Sequence, residues 1–120
     1  MAARILIVED SSLVTDAFRV LFTDAGYEVD AAATVAEGIE RGTADRVDLM
    51  LLDISLPDGN GLQILDALRE RNSLPRATLA MTGHNDPKSR RICLEAGCAD
   101  VLVKPVPISE LLRRIERLLA

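Results

Sequence analysis

Short apolar segments alternate with longer amphipathic segments from one end of the chain to the other. The apolar segments are only three to six residues long and rich in valine, isoleucine and leucine, which favours buried strands over helices. The pattern predicts five strands, at residues 4–8, 27–32, 47–52, 77–81 and 101–103. The third segment is apolar throughout except for Asp48, and Asp53 follows it directly.

The amphipathic segments carry residues that commonly start and stop helices. Thr34 and Glu37 have the spacing of a capping box, and Pro87 suits the first turn of a helix. Gly26 and Gly97 are typical of helix ends. The predicted helices span about 12–25, 34–42, 62–71, 85–97 and 108–119. On one face the last helix carries Ile108, Leu111, Leu112, Ile115, Leu118 and Leu119.

Strict alternation of strands and helices predicts a parallel sheet covered by helices on both faces. With five strands, the expected α/β architecture is the flavodoxin-like doubly wound sheet of order 2-1-3-4-5. We expect a single domain over residues 1–120, a length that suits one hydrophobic core. In such sheets the functional site lies beyond the carboxyl ends of the strands, near the point where the strand order reverses.

Composition narrows the class of protein. The chain is 48% hydrophobic and 28% charged, as in a folded globular domain. Its net charge of −5 argues against direct nucleic-acid binding, which needs clustered lysine and arginine. No apolar run has the length of a membrane span, so we expect no membrane contact and a cytoplasmic location. Cys93 and Cys98 match no zinc or redox spacing and are expected to be small buried hydrophobes.

Hydrophilic side chains follow the predicted strands where the site should lie. Glu9 and Asp10 follow the first strand, Asp53 the third, Thr82 the fourth and Lys104 the fifth. Two like charges about 4 Å apart repel by roughly 4 kcal/mol at an effective dielectric constant of 20, so crowded carboxylates call for a cation. Oxygen ligands without histidine or cysteine favour Mg²⁺ over zinc.

A carboxylate at the end of the central strand can act as a nucleophile toward phosphorus and form an aspartyl-phosphate. Asp53 is the candidate nucleophile, and Mg²⁺ would neutralise the phosphoryl oxygens. Lys104 would hold one of these oxygens, and the Thr82 hydroxyl with nearby backbone N–H groups would hold another.

Taken together, these residues resemble the receiver domain of two-component response regulators, and the resemblance covers the whole chain. The matching residues are Glu9-Asp10, Asp53-Ile54-Ser55-Leu56-Pro57, Gly61, Thr82, Ala96-Gly97, Asp100 and Lys104-Pro105. The resemblance implies metal binding by Asp10, Asp53 and the backbone carbonyl of Ser55, with Glu9 acting mainly through water. It also implies that Thr82 and Lys104 track the phosphoryl group and that the Lys104-Pro105 peptide bond is cis.

The same resemblance implies a set of partners. Asp53 would take its phosphoryl group from the phosphohistidine of a histidine kinase or a histidine phosphotransfer protein. A downstream effector protein or domain would receive the signal, and a phosphorylation-dependent homodimer is compatible with it. We expect either a stand-alone receiver or one part of a longer regulator or hybrid kinase. Such a domain catalyses only its own phosphorylation and dephosphorylation and is not otherwise an enzyme.

Three residues depart from the family pattern. Val101 replaces the aromatic residue usually found three residues before the lysine, Val106 follows Pro105 where phenylalanine is common, and Gly83 replaces a common alanine. The first two changes affect the part of the family's switch that normally uses an aromatic side chain. The phosphorylation chemistry does not depend on them.

Other interpretations of single residues are less economical than the combined site. Glu9 and Asp10 alone would suit a helix cap, and His84 is expected to be a solvent-facing loop residue. A haloacid-dehalogenase-type phosphatase would need a second aspartate where Ser55 stands. A flavodoxin-like FMN carrier would want flanking aromatic residues, which are scarce here. An interaction module that is not regulated by phosphorylation remains the main alternative.

Overall fold

Seven strands make up two sheets in the computed structural model, which describes residues 2–120. The strands are β1 (Arg4–Val8), β2 (Glu28–Ala32), β3 (Leu49–Asp53), β4 (Ser55–Leu56), β5 (Gly59–Asn60), β6 (Ala77–Thr82) and β7 (Asp100–Val103). Five of them form a parallel sheet of order β2-β1-β3-β6-β7. This is the predicted order 2-1-3-4-5, because β4 and β5 form a separate small antiparallel hairpin.

Five helices cover the two faces of the parallel sheet. They are α1 (Ser12–Asp24), α2 (Val35–Ala44), α3 (Leu62–Glu70), α4 (Pro87–Glu95) and α5 (Ile108–Leu119). On one face α2, α3 and α4 pack through residues such as Val35, Leu65 and Cys93. On the other face α1 and α5 pack through Phe22 and Leu111. The predicted doubly wound architecture is confirmed.

The helix starts follow the signals in the sequence. Ser11 caps α1, Thr34 caps α2 and Asp86 caps α4, each through a side-chain oxygen that accepts a backbone N–H bond. In α2 the bond from the Glu37 amide to Thr34 Oγ1 is 3.1 Å. The Glu37 carboxylate reaches back to the amide of Ala33 at 2.8 Å, one residue before its usual partner in a capping box.

Several element boundaries and one side chain differ from the predictions. Most ends shift by one or two residues, as helix and strand ends commonly do. β3 begins at Leu49 and not at residue 47. Just before it, the Asp48 carboxylate accepts the amide of Arg4 at 2.8 Å. The turn expected after Asp53 contains the β4–β5 hairpin. The sequence pattern predicts Ile108 on the apolar face of α5, but it is 55% exposed at the helix start.

Both cysteines are buried and free, as predicted. Burial raises the pKa of each thiol, that of Cys98 to about 12, which is the behaviour of a small core hydrophobe. Within residues 2–120, none of the helices has the length and apolar character needed to cross a membrane.

Candidate functional site

The carboxyl ends of β1 and β3 bring three carboxylates together. These strands are neighbours with Val8 opposite Leu52, so the residues that follow them meet at the same edge. One oxygen from each of Glu9, Asp10 and Asp53 lies within 4.8 Å of the other two. Glu9 and Asp53 are buried, whereas Asp10 is exposed. The structure therefore brings these three carboxylates together at one edge of the sheet.

Lys104 joins the acidic group from the end of β7. Its ammonium donates to Asp53 Oδ2 at 2.8 Å and to Glu9 Oε1 at 3.3 Å. Burial lowers the pKa of Lys104, but the hydrogen bond and charge of Asp53, helped by Glu9, outweigh it and raise the pKa overall. Lys104 is therefore a protonated donor at neutral pH. The Lys104-Pro105 peptide bond is cis, as the family resemblance implied.

Glu9 has the most strongly perturbed carboxyl group of the site. Burial and the neighbouring Asp53 together raise its pKa to about 7, against the opposing charge of Lys104. Its Oε2 atom accepts the backbone amide of Asp10 at 2.9 Å. A buried carboxyl that binds protons this readily marks a site with too much negative charge, which a cation would relieve.

Asp53 is held in place by the chain that follows it. Its Oδ1 atom accepts the amide of Ser55 at 3.1 Å, while Ile54 donates its amide to the carbonyl of Met81 in β6. Gly61 then donates to the carbonyl of Ile54 at 2.7 Å. A Cβ atom at Gly61 would lie 2.3 Å from the Asp53 carbonyl oxygen, so this close approach requires glycine.

Thr82 lies on the same edge but does not bond to Asp53. Residue 53 pairs with Met81, which places Thr82 one residue beyond it, and the Thr82 carbonyl accepts the amide of Lys104 at 2.8 Å. Its buried hydroxyl accepts the amide of His84 at 3.1 Å. Among residues 2–120, no hydrogen bond links the Thr82 hydroxyl to Asp53. His84 itself is exposed, as expected.

The site fits a hard divalent cation. Three carboxylates face a single ammonium, which leaves a surplus of negative charge, and every nearby side-chain ligand is an oxygen. Ser55, two residues after Asp53, lies beside this group, because its backbone amide donates to Asp53 Oδ1 at 3.1 Å. This ligand set suits Mg²⁺, which accepts one or two carboxylates and keeps its remaining positions for water and phosphate.

The fold and this edge of the sheet define a class of protein. The profile of the response regulator receiver domain matches residues 5–116, so the chain belongs to that family. It is thus a phospho-acceptor domain of the kind used by two-component systems. Receiver domains of this family are in general not enzymes beyond their own phosphorylation.

Individual relatives and solved structures agree with this assignment. The TorCAD operon transcriptional regulatory protein TorR of Escherichia coli (strain K12) is 40% identical over 119 residues, which are 99% of this chain and 51% of TorR. The CheY-like receiver domain protein from Methanospirillum hungatei JF-1 matches with a TM-score of 0.89 and 32% identity, over 99% of this chain and 94% of that one.

A third match carries a metal. The receiver domain of sensor histidine kinase PA1611 from Pseudomonas aeruginosa PAO1 has a TM-score of 0.87 and 28% identity, over 99% of this chain and 98% of its own. That structure has a magnesium ion coordinated in its active-site cleft. The present chain spans about half the length of the curated relatives that it matches.

Two sets of long-range contacts made by aspartates are not predicted from the sequence. Asp58 accepts backbone amides of α2, and Asp100 accepts Arg90 and Arg114 from two different helices. In the sequence Asp58 looks like an ordinary turn residue. Asp100 is named there only as one of the residues that match the receiver-domain family. Neither has a local pattern that names its distant partners, so only the folded structure identifies them.

Proposed function

We propose that this domain takes a phosphoryl group onto Asp53 from the phosphohistidine of a histidine kinase or histidine phosphotransfer protein. One observation carries the proposal: a buried carboxylate at the central strand end has one oxygen bonded to the Ser55 amide and the other to the Lys104 ammonium. Glu9 is buried as well, but Asp53 is the member of the acidic group that ends β3, the central strand of the parallel sheet.

Mg²⁺ would be held by the carboxylates of Asp10 and Asp53 and by the Ser55 carbonyl, with Glu9 acting mainly through water. When bound, the ion supplies neutralisation of the phosphoryl oxygens during transfer. The magnesium coordinated in the PA1611 receiver domain supports this assignment, because that domain has the same fold and is 28% identical.

The chain's own residues then have separate tasks. An Asp53 carboxylate oxygen attacks phosphorus, the phosphorus–nitrogen bond of the phosphohistidine breaks, and its electron pair stays on the imidazole nitrogen. Lys104, which bonds Asp53 before transfer, would shift its ammonium to a phosphoryl oxygen. The Thr82 hydroxyl can donate a hydrogen bond to another phosphoryl oxygen, since it acts as the acceptor in its present bond.

The output would be a change in contacts with an effector protein or with a domain of the same longer chain. TorR is named a transcriptional regulatory protein, and the present chain covers about half of its length. This supports a receiver that controls a separate output unit. A phosphorylation-dependent homodimer would be one form of that control.

Intact mass spectrometry after incubation with acetyl phosphate and Mg²⁺ tests the proposal. We expect the parent to gain one phosphoryl group that hydroxylamine removes, because acyl phosphates are labile to it. Asp53→Asn should gain none, whereas Asp24→Asn, which changes an exposed aspartate at the end of α1, should behave like the parent. Hydroxylamine-resistant labelling, or full labelling of Asp53→Asn, would refute it. An unlabelled parent would favour an interaction module that is not regulated by phosphorylation.

A further inference from the structure

Asp58 links the turn between β4 and β5 to the first turn of α2. Its Oδ1 atom accepts the backbone amide of Val35 at 2.7 Å, and its Oδ2 atom accepts that of Ala36 at 3.1 Å. These two bonds lower the pKa of the Asp58 carboxyl, so it is ionised at neutral pH. A carboxylate at this end of a helix is also favoured by the partial positive charge of the helix N-terminus.

This contact is additional to the local cap of α2. In that cap the Thr34 hydroxyl accepts the amide of Glu37, and the Glu37 carboxylate accepts the amide of Ala33. Within residues 2–120, the amides of Val35 and Ala36 have no other hydrogen-bond acceptor than Asp58. The Val35 side chain is buried in the core, so the point of attachment is firm.

The hairpin that Asp58 anchors is short and begins at the site. It contains two residue pairs, Ser55 with Asn60 and Leu56 with Gly59. A hairpin this small is not stable alone in water, so its position depends on its attachments. At its base Ser55 bonds to Asp53 Oδ1. Leu56 packs against the core, and at the exposed tip the Asp58 carboxylate attaches the hairpin to α2.

We propose that Asp58 is a positioning residue for the metal: by fixing the hairpin to α2, it holds the Ser55 carbonyl in place for Mg²⁺. The inference rests on the proposed function, since it concerns the metal that serves Asp53. It also makes the start of α2 sensitive to the metal. If the cap favours Mg²⁺ binding, Mg²⁺ binding must favour the cap by the same factor.

Calorimetric Mg²⁺ titration of Asp58→Ala measures the first half of this link. We expect affinity to fall about tenfold, the lower part of the range for groups that orient metal ligands. Asp58→Asn retains one oxygen that can accept an amide, so its loss should be smaller. Asp45→Asn is the matched control, because it removes an exposed carboxyl just beyond the other end of α2 and should bind Mg²⁺ as the parent does.

Amide hydrogen exchange measures the second half without relying on phosphorylation. Mg²⁺ should slow exchange at Val35 and Ala36 in the parent and in Asp45→Asn. In Asp58→Ala these two amides should exchange faster, and Mg²⁺ should no longer slow them. A residue with only a structural role would speed exchange in the variant but leave the Mg²⁺ affinity of the site unchanged.

The outcomes separate this inference from the proposed function. Equal Mg²⁺ affinity in Asp58→Ala, Asp58→Asn and the parent overturns the positioning role, even if Asp53 is phosphorylated normally. Weaker affinity with Mg²⁺-dependent protection of Val35 and Ala36 confined to the parent and control supports it. A parent that binds no Mg²⁺ and takes no phosphoryl group overturns the proposed function, and the inference with it.

Discussion

Gly61 illustrates how a single residue sets the geometry around Asp53. A Cβ atom there would lie 2.3 Å from the Asp53 carbonyl oxygen and 3.1 Å from a methyl group of Leu52. The nearer contact is with backbone, which cannot rotate away. We therefore expect Gly61→Ala to lower the free energy of unfolding by about 1–3 kcal/mol, as overpacked sites do. Urea unfolding with linear extrapolation measures the change.

Gly83→Ala is the matched control for that substitution. A Cβ atom at Gly83 meets nothing within 4 Å. Alanine there should leave stability unchanged or raise it by up to about 1 kcal/mol, through lower entropy of the unfolded chain. Equal stability of Gly61→Ala and the parent would show that the Asp53 carbonyl can move aside.

Glu9 gives the metal-free protein a pH dependence of known sign. Its pKa rises from 4.5 to about 7 on folding, so the folded state binds the extra proton. Its contribution to stability is full below pH 4.5 and is lost as the pH rises through 7. Since one pKa unit is worth roughly 1.4 kcal/mol, the loss is at most a few kcal/mol.

Glu9→Gln tests this pH dependence, because glutamine cannot titrate. With chelator present, the fall in unfolding free energy between pH 4.5 and 7.5 should be smaller in Glu9→Gln than in the parent. Parallel pH curves for the two proteins would contradict the raised pKa.

At the scale of elements, Asp100 joins a strand to two helices. Its carboxylate accepts Arg90 of α4 at 3.1 Å, Arg114 of α5, and the amide of Val101 at 2.8 Å. Arg90 also donates to the Val101 carbonyl at 3.3 Å. Because β7 is an edge strand, these bonds occupy backbone groups that would otherwise be open to pairing with another chain.

Asp100→Asn should therefore destabilise the protein at neutral pH. We expect a loss of about 1.5–3 kcal/mol, the range for hydrogen bonds to a charged group. Burial opposes ionisation of Asp100, but the Val101 amide and Arg114 outweigh it and lower the pKa overall. The stabilisation is present above pH 3.8 and is lost as the pH falls through the lower folded value, so parent and variant should converge in acid.

Asp66→Asn provides the comparison for Asp100→Asn in the same unfolding experiments. Asp66 pairs with Arg69 on the surface of α3, and its side chain is 72% exposed. Exposed pairs of this kind contribute at most about 1 kcal/mol. Equal effects of the two substitutions would mean that the Asp100 contacts do not stabilise the link between α4, β7 and α5.

The strands and helix starts could be predicted because their signals are local. Apolar runs predicted the strands, Thr34 predicted a helix cap, and Pro87 predicted the first turn of a helix, as the structure confirms. Asp48, Asp58 and Asp100 carry no such signal. Their partners lie 44, 23 and 14 residues away along the chain. In the sequence, each of these aspartates looks the same as an ordinary turn or cap residue.

At the scale of the molecule, one topological rule located the candidate site. Residues that follow parallel strands converge at one edge, so Glu9, Asp53 and Lys104 could be grouped although the first and last are 95 residues apart. That rule does not predict the β4–β5 hairpin or its attachment to α2 through Asp58. A run of turn residues does not specify which part of the protein the tip of the turn will contact. Strand order is thus more predictable than loop placement.

Val101 bears on how a signal at Asp53 spreads through the molecule. In the receiver-domain family, the aromatic residue that is usual at this position turns inward as the threonine moves toward the phosphoryl group. Val101 is already 5% exposed and packs in the core beside Cys93 and Cys98. Valine is also stiff and has no ring to move between two positions. A groove of about 220 Å³ lies beside it, between α4 and β7.

We therefore predict a weak switch on the face formed by α4, β7 and α5. Moving a two-state equilibrium from 1:99 to 99:1 takes about 5.5 kcal/mol of differential stabilisation. An aromatic ring that is exposed in one state and buried in the other supplies part of this difference, and valine supplies less.

Amide chemical shifts with and without beryllofluoride, a phosphoryl mimic, measure the response. In the parent, changes should concentrate in the loops after Asp53 and Thr82. Val101→Tyr should extend them to α4, β7 and α5, because a ring can use the adjacent groove. A concerted shift of all three elements in the parent would show instead that Thr82 and its loop carry the change without an aromatic residue.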